Sequence, residues 1–475
     1  MLNRTGDNES HRNMLLNTTI NKDSLKIGFI GLGYAGFPMT CLFSRHYDVV
    51  GFDVSQSRID ELNRGFDRCG DVSREEIEQM LARGARLTTD VEELRSCNFY
   101  VVVVPTPVDK HCAPDTSFIK AASLEVGNVL DRGDIVVFES TVYPGATEEI
   151  CIPLIEEVSG LRCNEDFFVG YSPERINPGD KLHTPSNVVK VTSGSTPEAA
   201  RFIDAVYRSI LGEGKTWQAS SIRVAEASKV IENTQRDINI AFMNEIAQIL
   251  SALDIDTNEV IEAMNTKWNA LGFRPGLVGG HCIGVDPYYL IERASTKGIA
   301  ANLMTTARTI NNSMPGFVTE KVVRLIKERG SVDIAKSRIL LLGFTFKENC
   351  PDIRNTRVFD IYELMHTYTP NITIFDPWAD AALVKRSYGL KICTRQEQLE
   401  GRFDAIVVCV AHNEFKEFNF ERYEKPVCVI YDVKGLFFKM KEIEKHPVVK
   451  AAPEAHPDHG HSRHNESSEH EHRLV

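Results

Sequence analysis

At 475 residues the chain is too long for a single hydrophobic core, and its composition (42% hydrophobic, 25% charged, 8% aromatic) is that of a folded globular protein. A net charge of −12 excludes a bulk polyanion such as nucleic acid as partner, because phosphate-backbone binding needs a basic surface. No run approaches the roughly 18 apolar residues that span a bilayer, so no membrane partner is expected either.

Residues 1–24 form a polar N-terminal extension without the apolar stretch of a secretory signal, which points to a cytoplasmic protein. The eleven cysteines are scattered singly with no CxxC pair, so neither a metal cluster nor a disulfide framework is expected.

Ordered structure begins at Leu25–Ile30, an apolar run that reads as a buried parallel strand. Val49–Phe52, Phe99–Val104 and Ile135–Phe138 are of the same kind, and helix-like stretches such as Glu75–Arg83 and Phe118–Leu130 separate them. That alternation predicts a doubly wound α/β domain over residues 25–215.

The first strand runs directly into Gly31-Leu32-Gly33-Tyr34-Ala35-Gly36, and the second ends at Asp53. A GxGxxG between strand and helix, with a carboxylate about 20 residues on, is the fingerprint of a dinucleotide site. Gly31 makes the tight turn, Gly33 lets the pyrophosphate approach, and Gly36 lets helix pack on strand. Asp53 would accept the ribose hydroxyls and repel a 2′-phosphate, which favours NAD. Arg58 either lies over the adenine or is a solvated helix charge. Thr106 in Val-Pro-Thr-Pro, and Ser140 and Thr141 after the fourth long strand, fall at the edge where such sheets bind ligands.

Next comes Gly170-Tyr171-Ser172-Pro173-Glu174-Arg175-Ile176-Asn177-Pro178-Gly179, a loop whose Glu174 and Arg175 sit between prolines. Residues 216–317 then read as a helical middle, with Val224–Leu253 as one long helix. Lys229, Asn233, Arg236 or Asp237, and Asn244 recur along it at helical spacing, as a solvated face or as a functional stripe.

Gly279-Gly280-His281-Cys282-Ile283-Gly284-Val285-Asp286 follows. If a helix starts there, Cys282 and Asp286 share a face and the helix dipole favours a thiolate. The two glycines would let a substrate come close. A small buried cysteine in a tight turn is the plainer reading.

A second α/β domain is predicted over 318–445, with strands Ile339–Gly343, Ile372–Phe375, Ala405–Val410 and Val427–Tyr431. Lys347 and Arg354 follow its first strand, either as phosphate-docking cations or as solvated loop charges. From 446 to 475 the hydrophobic pattern is lost, and six of the fourteen histidines crowd into residues 451–475. A disordered tail is expected there.

The segments GLGYAGFP, VPTPV, ESTVYPG, GYSPERINPGD, AEASKVIENTQRDINIAFMNE, RPGLVGGHCIGVDPYYL and LGFTFKENCPDIRNTR together resemble the UDP-glucose/GDP-mannose dehydrogenase family over residues 25–440. SPERINPGD, ENTQRD and GGHCIGVDPYYL look like its branch acting on UDP-N-acetylhexosamines. The resemblance implies two Rossmann-like domains joined by a helical domain that pairs two chains into a homodimer. It also implies oxidation of the sugar C6 from alcohol to carboxylate, with two hydrides passing to NAD and no metal. Cys282 would form a thiohemiacetal and then a thioester. Lys229 and Asn233 would hold the oxyanion. Asp286 and a water under Thr141 would move protons, and Glu174 would position the hydrolytic water.

On the cofactor side the expected residues are Gly31, Gly33, Tyr34, Ala35, Gly36, Asp53, Arg58, Thr106, Ser140, Thr141 and Arg354. On the sugar-nucleotide side they are Glu174, Arg175, Lys229, Asn233, Arg236, Arg274, Gly279, Phe346 and Lys347. UDP-N-acetylglucosamine is the expected substrate, with its manno and galacto epimers as alternatives. A non-catalytic protein binding NAD or a nucleotide sugar is the alternative of another class.

Overall fold

A computed structural model describes residues 24–109, 111–175, 187–329 and 333–437. The N-terminal extension up to residue 23, the Ile176–Gly179 part of the proline-flanked loop and the histidine-rich tail lie outside the described residues.

The first sheet is built from β1 (Lys26–Ile30), β2 (Asp48–Phe52), β3 (Arg86–Thr88), β4 (Phe99–Val102), β5 (Ile135–Phe138) and β6 (Phe168–Tyr171). The order is β3-β2-β1-β4-β5-β6 and every pairing is parallel. Its central strands are buried on both faces, which is why they read as unbroken apolar runs. Alternation still assigns the faces: Ile27 and Phe29 enter one core layer, Ile30 the other. Two strands outside that sheet, β7 (Lys190–Thr192) and β8 (Thr216–Gln218), pair with each other, so the expected division at 215/216 falls at the start of β8.

The middle of the chain is one long helix, Ile222–Ala252, capped by Ser221, whose hydroxyl accepts the Val224 N–H. A second long helix, Asn302–Arg329, packs against it and runs unbroken through Pro315 and across the expected 317/318 division. Asn311 and Arg308 of the second helix reach Asp237 on the first, with Arg308 Nη1 2.6 Å and Asn311 Nδ2 2.7 Å from Asp237 Oδ1. Asn244 Nδ2 bonds Asn311 Oδ1 at 2.8 Å, and Asn244 Oδ1 takes the Gly276 N–H, also at 2.8 Å.

The second α/β region holds β9 (Ile339–Leu342), β10 (Ile372–Phe375), β11 (Phe403–Val408) and β12 (Glu424–Asp432) in the parallel order β10-β9-β11-β12. It repeats a device of the first. Gly31 (φ +96°) and Gly343 (φ +92°) each follow the first strand of their sheet in a conformation only glycine adopts cheaply. A carboxylate at the end of the next strand then takes the N–H of the residue after the glycine. Asp53 takes that of Leu32 at 2.9 Å, and Asp376 that of Phe344 at 2.5 Å. In both sheets the first strand lies between the second and a later one, so a crevice opens at its carboxyl end.

Candidate active site

The loop that carries Cys282 lies where those crevices meet. Its helix begins at Asp286, with Pro287 in the first turn, four residues later than the sequence suggested. Cys282 therefore sits in the turn that feeds the helix, and its carbonyl accepts the Asp286 N–H at 2.8 Å. The two preceding glycines do not make room for a substrate. A Cβ on Gly279 would stand 2.7 Å from the Asn355 carbonyl oxygen, and one on Gly280 (φ +78°) would stand 2.7 Å from the Phe346 ring. The second α/β region, the third along the chain and below called the third region, itself occupies that space, and Asn355 Nδ2 donates to Gly280 O at 3.2 Å. Gly279 and Phe346 thus hold the loop in place and line a small cleft with Thr345, Arg357, Val410 and Lys434.

The central helix turns Lys229, Asn233 and Asp237 inward, all of them buried. Asn233 Nδ2 donates to Asp286 Oδ2 at 2.5 Å, and Arg236 Nη1 donates to Asn233 Oδ1 at 2.8 Å, which fixes which way the amide points. Burial pushes the Asp286 carboxyl up to about 6, against the opposing pull of Lys229 and Asn233. Arg236 also pairs with Glu232, as does Arg175, so both arginines brace this helix. Glu174 and Glu139 share Lys190, at 3.0 and 2.8 Å from its Nζ, and Tyr207 donates to Glu139. Arg274 pairs with Glu262.

The glycine loop meets Cys282 through Tyr34, whose hydroxyl is 3.1 Å from His281 Nδ1. Arg354 lies over the Tyr34 ring, 5.1 Å from its centroid, and grips Asp352. Ala35 and Gly36 begin the next helix, with no side-chain cap and no acidic residue in its first turn. Its N–H groups therefore face no competing carboxylate. Ser140 Oγ takes the Val104 N–H at 2.9 Å, while Thr141 and Thr106 are half-buried nearby in sequence. Arg58 does not stand free for an adenine. It is buried, bonds Leu32 O at 2.7 Å and pairs with Glu61 and Asp67. Lys347 is half-buried beside the cleft residues Thr345 and Phe346.

A dinucleotide fits this loop. A Cβ on Gly36 would stand 2.0 Å from Gly31 O, so the fold demands that glycine. One on Gly33 would meet nothing within 4 Å, and its φ is ordinary, so neither packing nor backbone explains it. What the missing side chain clears is the space in front of the loop, where a pyrophosphate approaches. Asp53 spends one oxygen on Leu32 N and the other on Ser55 N, and a carboxylate has about four acceptor positions. It keeps capacity for ribose hydroxyls.

Comparison with known proteins agrees with this geometry. Residues 25–211 match the NAD binding domain of the UDP-glucose/GDP-mannose dehydrogenase family, 223–313 its central domain and 340–439 its UDP binding domain. The chain belongs to the UDP-glucose/GDP-mannose dehydrogenase family. It is an NAD-dependent oxidoreductase. A UDP-N-acetyl-D-glucosamine 6-dehydrogenase of Salmonella typhi is 49% identical over 415 residues, covering 87% of this chain and 96% of that protein. One of the same name from Pseudomonas aeruginosa is 49% identical over 416 residues, covering 87% and 97%. The solved UDP-D-ManNAc dehydrogenase of Pyrococcus horikoshii superposes with a TM-score of 0.78 at 30% identity, covering 87% and 96%. Among the described residues no helix is long and apolar enough to cross a membrane.

Sequence reasoning missed His281, Asp352, Glu139, Lys190 and Glu232. His281 stood beside the nucleophile and could have been found there. Asp352 lies 70 residues further on, and only the fold brings it back.

Two outcomes follow from this geometry. Gly33→Ala should leave the unfolding midpoint nearly unchanged, within about 0.5 kcal/mol, while weakening NAD binding, whereas Gly36→Ala should cost about 2 kcal/mol or more. Urea unfolding and calorimetric NAD titration of both variants separate the cases; equal destabilisation would refute the ligand reading of Gly33. Asp286 has a folded-state carboxyl raised above its unfolded value. Its contribution to stability is therefore present at low pH and is lost as pH rises between about 4 and 6. Asp286→Asn should be more stable than the parent at pH 8 by about 2 kcal/mol, a margin that shrinks towards pH 4.5. Urea titrations at both pH values check this.

Proposed function

We propose that the protein oxidises C6 of UDP-N-acetylglucosamine to the carboxylate in two hydride-removing steps at one site, feeding the uronic acid into capsular or O-antigen polysaccharide. The observation that carries this is the convergence on Cys282 of three things. They are a buried Lys229–Asn233–Asp286 face, the Tyr34 end of the glycine loop, and the third region's cleft. The 49% identity to enzymes named for this sugar, against 32% for relatives named for UDP-N-acetyl-D-mannosamine, supports the choice of epimer.

NAD, when bound on Gly31, Gly33 and Asp53, supplies the hydride acceptor. The rest is the work of this chain's side chains. Lys347 and the cleft beside Phe346 hold the UDP moiety, with Arg274 and Arg175 at its margin. Thr106, Ser140 and Thr141 face the nicotinamide half, and Arg354 closes over Tyr34. Asp286, its pKa raised by burial to about 6, receives the proton of the C6 hydroxyl. The Cys282 sulfur captures the aldehyde as a thiohemiacetal, which keeps a reactive species in the site until the second hydride leaves and a thioester remains. Lys229 Nζ and the Asn233 amide stabilise the oxyanion. Glu174, held by Lys190, positions the water that releases the acid.

The central helix supports a homodimer. Val224, Ile231, Phe242, Ile249 and Leu253 form one stripe on its outer side and are 41 to 62% exposed. An apolar stripe of that length needs a partner. Trp268, 91% exposed, and Leu271, 75%, are further large apolar side chains open to solvent. Eleven free cysteines, exposed Cys112 among them, suit a reducing compartment, and we place the enzyme in the cytoplasm.

Absorbance at 340 nm should show two NADH per UDP-N-acetylglucosamine consumed, and Cys282→Ser should abolish turnover or stall it after one. Activity on another epimer alone would move the substrate, and no NADH from any of UDP-N-acetylglucosamine, its two epimers or UDP-glucose would reject the reading. Phe242→Asp should convert a dimer into a monomer in light scattering; an unchanged mass would place the interface elsewhere.

A further inference from the structure

His281 has no part in the steps above, yet it touches the reacting sulfur. Its Nδ1 lies 3.2 Å from Cys282 Sγ and 3.1 Å from the Tyr34 hydroxyl. Its Nε2 is buried, makes no close hydrogen bond, and faces Asp352 Oδ2 at the ion-pair distance of 3.4 Å. The ring is held from both sides, by Tyr34 at 4.4 Å between centroids and by Phe346 at 6.0 Å. Asp352 is held in turn, since Arg354 Nε reaches both its oxygens at 3.0 Å and the Phe346 N–H bonds its backbone carbonyl, also at 3.0 Å.

A carboxylate on one imidazole nitrogen and a sulfur on the other is the arrangement that makes a thiol into a nucleophile. We propose that His281 is a further catalytic residue, taking the Cys282 thiol proton at Nδ1, and that Asp352 is the positioning residue that holds the resulting imidazolium. This rests on Cys282 as the nucleophile of the proposed reaction.

The electrons balance with no oxidant beyond the two NAD of the proposed reaction. The S–H bond breaks, its electron pair stays on sulfur, and the proton goes to Nδ1. The thiolate pair forms the S–C bond to the C6 aldehyde carbon, and the carbonyl pair moves to oxygen beside Lys229 and Asn233. Loss of the second hydride to NAD turns the thiohemiacetal oxyanion into the thioester with no further proton to place. In the last step, once Asp286 has passed its first proton to solvent, water adds to the thioester carbon and gives its proton to Asp286. The C–S bond then breaks and its pair returns to a sulfur that faces the imidazolium.

The charged and titratable groups facing His281 favour the cationic ring. Tyr34 comes from the glycine loop, Cys282 and Asp286 from its own loop and helix, and Asp352 and Arg354 from the third region. Burial by itself pushes the imidazole down. Asp352 and Cys282 outweigh both burial and Arg354, and raise it to about 9. An ordinary histidine would be mostly neutral at pH 7.

The test is iodoacetamide alkylation of the full chain without sugar, read peptide by peptide in a mass spectrometer from pH 5.5 to 9. Exposed Cys112 serves as the internal reference. An unassisted thiol has a pKa of about 8.5 and loses about tenfold in rate per pH unit below it. Cys282 in the parent should stay reactive at pH 6.5. His281→Ala should lose about tenfold or more there, and Asp352→Asn should fall between the two, with Cys112 unchanged in all three. In steady state His281→Ala should lower kcat with little change in either KM. Parent-like alkylation of Cys282 in His281→Ala, or a variant whose KM values rise at constant kcat, overturns the proposal. Because alkylation needs no substrate, it fails or succeeds independently of the sugar assignment. If His281→Ala misfolds, Asp352→Asn alone decides, by the presence or absence of the same loss at pH 6.5.

Discussion

Lys229, Asn233 and Asp237 lie one turn apart on the buried face of the central helix, while Val224, Ile231, Phe242 and Ile249 are exposed on its other side. Burying an ion without partners costs several kcal/mol, so each of these groups must be answered by another element. Arg308 and Asn311 answer Asp237, and Asp286 and Arg236 answer Asn233. The two long helices, the Cys282 loop and the Gly276 turn are fixed by these bonds, and the two sheets are positioned through them. An apolar helix face could slide or rotate at small cost. Directional polar contacts set a single register, which a covalent catalyst needs in order to keep sulfur, cation and amide in reach of one carbon.

The outer side of the same helix carries an apolar stripe among exposed Arg223, Gln235 and Glu245. A 31-residue helix whose polar side is occupied by the site has only its other side left for association. The residues that hold the nucleophile and the residues that would join two chains therefore sit back to back on one rod.

Much of this was legible in the chain itself. β5 and β10 fall at the expected residues, and β1, β2, β4 and the central helix within two residues at each end, because unbroken Val/Ile/Phe runs bounded by glycine have few alternatives. The glycine loop and Cys282 were legible because glycines and cysteines have few interchangeable uses. What was not legible depends on approach between distant segments. Gly279 and Gly280 looked like clearance for a ligand and prove to be clearance for Phe346 and Asn355. Arg58 looked free and is sealed under Leu32. Asp352 and Lys190 gave no signal, since a single charge in a loop acquires meaning only from what it faces. Helix Asn302–Arg329 was obscured by Pro315, whose missing N–H the surrounding helix tolerates.

The repeated carboxylate separates the two halves by a count of vacancies. Asp53 accepts two backbone N–H groups and retains open lone pairs. Asp376 accepts from Phe344, Thr345, Trp378 and Ala379, and also from His412. His412 Nδ1 takes the Asn349 N–H, so its Nε2 carries the hydrogen that Asp376 receives. With about four acceptor positions on a carboxylate, Asp376 is saturated. The same residue type at the same place is a receptor in the first sheet and a keystone in the second. At the position where the first sheet offers an open carboxylate to a ribose diol, the third region offers one with no lone pair left to accept.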